Sequence, residues 1–121
     1  MKAITLRNLK PDFLTKQGFY KWACESLGLI SPGDSRKTAL EIFAILWEEG
    51  AATSDHIAER LQKDKKHILY HLKRMQERLV VEKTDGRYHL RPIDDILEDY
   101  QRWLNYTWDR IRRGFQKAKT L

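Results

Sequence analysis

The chain has 121 residues, of which 41% are hydrophobic and 33% charged, with a net charge of +6. That length suits one compact domain, and four Trp, five Tyr and four Phe exclude wholesale disorder. Cys24 is the only cysteine, which excludes an internal disulfide and a cysteine-rich zinc site; no apolar run approaches the ~18 residues of a membrane span.

The start, Met1-Lys2-Ala3-Ile4-Thr5-Leu6-Arg7, lacks the apolar core and cleavage site of a signal peptide, so the expected location is cytoplasmic. Residues 2–7 suit a short strand or an extended arm. Pro11-Asp12 opens a helical stretch to residue 27, with Phe13, Tyr20, Cys24 and Leu27 on one side. Gly18 weakens it, so the helix starts late or bends there. Gly28 is a C-terminal stop, and Ser31-Pro32-Gly33-Asp34 breaks the chain.

A second helix begins at Ser35 or Thr38 and ends at Glu49 before Gly50, with Thr38 and Glu41 at capping-box spacing. Leu40, Ile42, Phe43, Ala44, Ile45, Leu46 and Trp47 leave it almost no polar face, which predicts a helix buried on several sides. Ala51-Ala52 forms an extended link. Thr53 or Ser54 caps a third helix ending near Leu61, with Ile57, Ala58 and Leu61 inward. Gln62-Lys63 turns the chain, and Asp64 caps a fourth helix running to Arg78. On a wheel of ~100° per residue, Ile68, Leu72, Met75 and Leu79 form one inward stripe. Lys66, Tyr70, Lys73 and Glu77 lie opposite, with His67 and Arg74 to one side. Residues 80–83 and 87–90 read as strands joined by Asp85-Gly86, a strong hairpin turn. Pro92 closes this region, and a last helix covers residues 93–118.

The stretch Ile57-Ala58-Glu59-Arg60-Leu61, then His71-Leu72-Lys73-Arg74-Met75, Leu79-Val80 and Asp85-Gly86-Arg87-Tyr88 resembles the DNA-binding segment of the ArsR and MarR-like regulators. The resemblance covers residues 38–92. It implies a mainly α, winged helix-turn-helix fold: a three-helix core plus a β-hairpin wing, here with an extra N-terminal helix and a long C-terminal helix. The family often has a small apolar residue where Lys63 stands and a glycine where Arg78 stands, so this chain departs from the pattern at both.

Charge is distributed in blocks that fit such a reading. Residues 38–62 carry a net −4, whereas residues 63–92 carry nine basic and four acidic residues, a net +5. A cationic segment of this kind suits a polyanion. Lys66, His67, Tyr70, Lys73 and Arg74 are expected to read duplex DNA in the major groove. Lys63 and Lys65 are expected on phosphates, and Lys83 and Arg87 on the wing against the minor groove or backbone.

The last helix carries the clearest amphipathic signal. Ile93, Ile96, Leu97, Tyr100, Trp103, Leu104, Trp108, Ile111 and Phe115 form an apolar stripe too long for the small core to cover. Asp94, Asp95, Glu98 and Asp99 crowd its start, while Arg110, Arg112, Arg113, Lys117 and Lys119 crowd its end. Two copies could pair antiparallel, so the expectation is a homodimer built on residues 93–121 and buttressed by residues 1–37. No Gly-rich phosphate loop or nucleophile–base pairing indicates an enzyme, and no cofactor is implied. His67 and His71 are one helical turn apart, but no further ligands complete a metal site, and Cys24 reads as a small buried hydrophobe. The alternatives are a protein-interaction adaptor built on the same fold, or a sensor gated by a metal or a small-molecule effector.

Overall fold

The computed structural model describes residues 6–31 and 37–121. Most of the expected strand at residues 2–7, and most of the chain break after Ser31, lie outside those residues. The fold is mainly helical with one small antiparallel hairpin, in the order α1, α2, α3, α4, β1, β2, α5. No helix among the described residues is long and apolar enough to cross a membrane.

Helix α1 spans Lys16–Ser26, starting four residues later than residue 12. Thr15 caps it by accepting a hydrogen bond from the Gly18 N–H at 3.0 Å. The absence of a side chain at Gly18 matters: a Cβ there would come within 3.2 Å of the Phe13 Cβ. At the other end Gly28 takes a positive φ of 72°, and the Leu29 N–H donates to the Cys24 carbonyl at 2.8 Å. Two distant cations finish this terminus. The Arg7 guanidinium donates to the Glu25 and Ile30 carbonyls, and Arg78 donates to the Gly28 carbonyl. Cations are favoured at a helix C-terminus because its unpaired carbonyls carry partial negative charge.

Helix α2, Thr38–Glu49, is the centre of the core, as its continuous apolar run predicts. It packs against α1, α3, α4 and β2, and Ile42, Phe43, Ile45 and Leu46 are all buried. Trp47 is the exception at 55% exposed. The expected capping box does not form, because Lys37 occupies the N-cap without a side-chain bond. The Thr38 hydroxyl is engaged elsewhere, 3.2 Å from both Lys63 Nζ and His67 Nε2.

Helix α3, Ser54–Leu61, is capped by Thr53, whose hydroxyl accepts from the His56 N–H at 3.1 Å. Gln62 then takes a left-handed conformation, φ 53° and ψ 46°, to turn the chain into α4, Lys65–Glu77. Ile68, Leu72 and Met75 point into the core, fully buried. Leu79, expected as the fourth member of that stripe, instead lies beyond the helix in a left-handed conformation, φ 62°, and is half-buried. Val80 N–H folds back to the Met75 carbonyl at 3.0 Å, which stops the helix. The backbone position that calls for glycine is therefore Leu79, one residue after Arg78, whose φ is −87°.

Strand β1 is Val81–Thr84 and β2 is Arg87–Leu90, paired from Val81↔Leu90 to Thr84↔Arg87. β1 begins one residue later than expected, because Val80 is occupied in closing α4. Asp85 and Gly86 both take positive φ, the backbone of a tight two-residue hairpin turn. The ribbon is tied to the core at Ala52, which exchanges two backbone hydrogen bonds with Tyr88 at 3.0 and 2.8 Å.

Helix α5, Ile93–Ala118, has 26 residues and is about 39 Å long. It stands off the body: Ile96 and Asp99 are its only buried residues, and from Trp108 onward every residue is exposed. Its root is held by Arg91, which reaches Asp99 Oδ2 at 2.5 Å and the Leu79 carbonyl at 2.8 Å. Helix α1 packs on α2 rather than along α5, so it does not cover the α5 stripe within one chain.

Three substitutions test this architecture by urea denaturation. Leu72→Ala should cost about 2–5 kcal/mol through the lost burial and the cavity left behind. Asp99→Ala should cost about 3 kcal/mol, since it strands a mostly buried guanidinium. Gln62→Gly should raise stability by up to about 1 kcal/mol, because the turn is left-handed and the side chain exposed.

Candidate nucleic-acid interface

The apolar stripe of α4 decides where its polar residues go. With Ile68, Leu72 and Met75 turned inward, Lys66, Tyr70 and Lys73 are all exposed. Neither Lys66 nor Lys73 forms an ion pair among the described residues. Two ammonium groups about two turns apart, with a phenol between them in sequence, therefore face solvent on one side of α4. Its first turn holds no acidic residue, and the N-cap Asp64 makes no side-chain capping bond, so the first backbone N–H groups are not closed off by that carboxylate.

The remaining expected contacts divide. Arg74 lies over the Tyr70 ring, its guanidinium carbon 5.7 Å from the ring centre, so the two are presented together. His67 is exposed, but its ring is tied to Thr38 and meets His71 edge-on at 4.7 Å. Lys63 is half-buried and donates to the Thr38 hydroxyl. Lys65 pairs with Asp55 at 2.9 Å, both side chains being largely exposed. Lys63 and Lys65 thus carry local ties that the sequence reading did not foresee. On the hairpin, Lys83 sits over the Tyr88 ring at 5.4 Å, while Arg87 is exposed beside the Asp85-Gly86 turn with no ion pair among the described residues.

A cleft of about 210 Å³ opens between the end of α1 and one flank of α4. His67, Tyr70, His71, Arg74 and Arg78 line it together with Gly28, Leu29 and Ile30. Burial, and then the nearby Arg74 and Arg7 charges, push the Arg78 guanidinium below its ordinary range. Arg7 and Arg78 had no sequence signal of their own, since their carbonyl partners lie 18 to 50 residues away. Arg91 and Asp99 were likewise illegible. Asp99 read as one of several helix-start charges, yet it is buried and ion-paired.

His67 and His71 do come together, but no group of three or more His, Cys, Asp or Glu residues suited to a metal occurs among the described residues. Cys24 is fully buried, and burial pushes its thiol up to about 12, with Glu25 adding to the shift. The thiolate needed for redox chemistry is therefore scarce near neutral pH. Of the residues expected on the dimer face, Ile96 is used in the chain's own core, and Tyr100 and Trp103 are half-buried. Ile93, Leu97, Leu104, Trp108, Ile111 and Phe115 are open, from 43 to 73% exposed.

No family model matches the chain, and neither the curated proteins nor the solved structures contain a match. The functional reading rests on the residues themselves.

Cys24 supplies a direct check. A thiol-specific reagent such as an aromatic disulfide at pH 8 should label less than a tenth of native protein over minutes, and one thiol per chain in denaturant. Rapid stoichiometric labelling of native protein would contradict the buried, protonated thiol.

Proposed function

We propose that this protein is a sequence-specific, duplex DNA-binding transcriptional regulator with a winged helix-turn-helix fold, acting as a homodimer. In this reading α4 enters the major groove and the hairpin of residues 81–90 is the wing. The observation that carries it is the outward face of α4: Lys66 and Lys73 without an ion pair among the described residues, with the Arg74 guanidinium over the Tyr70 ring on the same helix. This face lies on a segment of net charge +5 that also contains Arg87. Anionic partners for these two lysines are missing among the described residues. Phosphates would supply them, with release of condensed counterions.

Lys66, Lys73 and Arg87 take the strongest roles, Lys66 near the helix N-terminus and phosphate backbone, Lys73 and Arg74 toward base edges. His67 and Lys63 contribute less directly, because both are bound to Thr38. Lys65 reaches a phosphate only by leaving Asp55, an exposed pair that costs little to break. The open stripe of α5 supports self-association, which would place two reading helices on one duplex.

One observation favours a second reading. Exposed Phe13, Leu14 and Trp47 join the α5 stripe as apolar surface, which suits a protein-interaction adaptor.

Fluorescence anisotropy with a random-sequence duplex separates the two readings. Binding should be measurable at 50 mM salt and fall by orders of magnitude at 200 mM. Combined Lys66→Ala, Lys73→Ala and Arg87→Ala should reduce the slope of log affinity against log salt by about 2–3 and leave the urea midpoint unchanged. Absence of binding at 50 mM would favour the adaptor.

A further inference from the structure

We infer that α5 pairs with α5 of a second copy as an antiparallel coiled coil, in one register centred between Asn105 and Tyr106. The inference rests on the homodimer reading above, with its antiparallel α5 pair, and adds to it the residue-by-residue alignment.

The structure divides the α5 stripe in two. Ile96 and Asp99 face the body of the domain. A heptad seam with steps of four and three runs beside them: Ile93, Leu97, Tyr100, Leu104, Thr107, Ile111, Gly114, Ala118, all exposed except the half-buried Tyr100 and Thr107. Spacing of about 3.5 residues per turn is what keeps two helices in contact along their length. Leu97, Leu104 and Ile111 along this seam are 46, 43 and 58% exposed, so their own chain leaves them uncovered.

Size and charge select the direction. In the antiparallel register, Leu97 lies over Gly114 of the partner helix, Leu104 over Thr107, and Ile93 over Ala118. Each large side chain meets a small one, and only Ile111 over Tyr100 joins two large residues. A parallel pair would set Gly114 on Gly114 and Thr107 on Thr107, leaving gaps. It would also stack Asp94, Asp95 and Glu98 on their own copies. The antiparallel pair places this acidic start beside the Arg112, Arg113 and Lys117 end of the other helix and opposes the two helix dipoles.

Gly114 is the most specific sign. Glycine is a poor helix former, and nothing among the described residues of its own chain calls for one there: an added Cβ would meet none of their atoms within 4 Å. A leucine of a second helix resting on that point supplies the missing reason.

Disulfide trapping tests the register. A Leu97→Cys chain is mixed with a Gly114→Cys chain of different tag length and mildly oxidised; the native Cys24 is fully buried in both. Only the mixed, hetero-linked species should form. In this register two copies of residue 97 lie about 25 Å apart along the axis, beyond disulfide reach. Cross-linking of the Leu97→Cys chain with itself would establish a parallel pair and overturn the proposal. A two-chain mass by light scattering without the hetero-linked species would place the dimer elsewhere. A mass near one chain, 14.4 kDa, would remove the dimer altogether, a result independent of whether the chain binds DNA. As a second measurement, Gly114→Leu should weaken dimerisation at least tenfold with the helical circular dichroism of the chain retained; an equally tight dimer would overturn the close approach at Gly114.

Discussion

Ile42, Phe43 and Leu46 are out of water because α1, α3, α4 and the hairpin all close around α2. This burial is the constraint on which every other placement depends. Apolar surface removed from water is the dominant favourable term in a domain of this size, at roughly 25 cal/mol per Å². Helix α4 joins the core through the buried Ile68, Leu72 and Met75, so its rotation about its own axis is set by its packing on α2, α3 and β1. The cations of α4 are outward because its leucine, isoleucine and methionine are inward.

Polar ties then hold the pieces that the apolar core does not orient. Thr38 links the start of α2 to Lys63 and His67, fixing the turn before α4 and its first residues. Ala52 and Tyr88 sew the hairpin to the end of α2. Arg91 joins the Leu79 carbonyl to Asp99 and so sets the direction in which α5 leaves the body. The Ala52–Tyr88 and Arg91–Asp99 ties are mostly shielded from water and satisfy groups that would otherwise be costly to bury. The result is a body with two working surfaces, a cationic face and hairpin, and a projecting amphipathic helix.

The two surfaces are chemically unlike. On α4 most of the exposed groups are ammonium, guanidinium, imidazole and phenol, with Leu69 the one exposed aliphatic side chain of the helix. On α5 the exposed groups are Leu97, Leu104, Trp108, Ile111 and Phe115, which gain most from a close apolar partner. A ligand suited to one would be poorly matched to the other. The proposed division, a polyanion on the body and a second copy on the long helix, rests on that chemistry.

Sequence alone determined the elements: period and turn chemistry are local. The stripes of α4 and α5, the Asp85-Gly86 turn and the stop at Gly28 each follow from residues within a few positions of one another, so they are legible before folding. Exposure of Lys66, Lys73 and Arg87 was legible for the same reason, as the complement of an apolar stripe. What tertiary structure decided are the relations between distant residues. Thr38 abandons its capping box for Lys63 and His67, Leu79 rather than Arg78 takes the left-handed turn, Ile96 joins its own core, and Asp99 is buried against Arg91. No periodicity encodes these, because a hydroxyl, carboxylate or guanidinium settles with whatever partner the packed chain brings within about 3 Å, and only packing determines which partner that is.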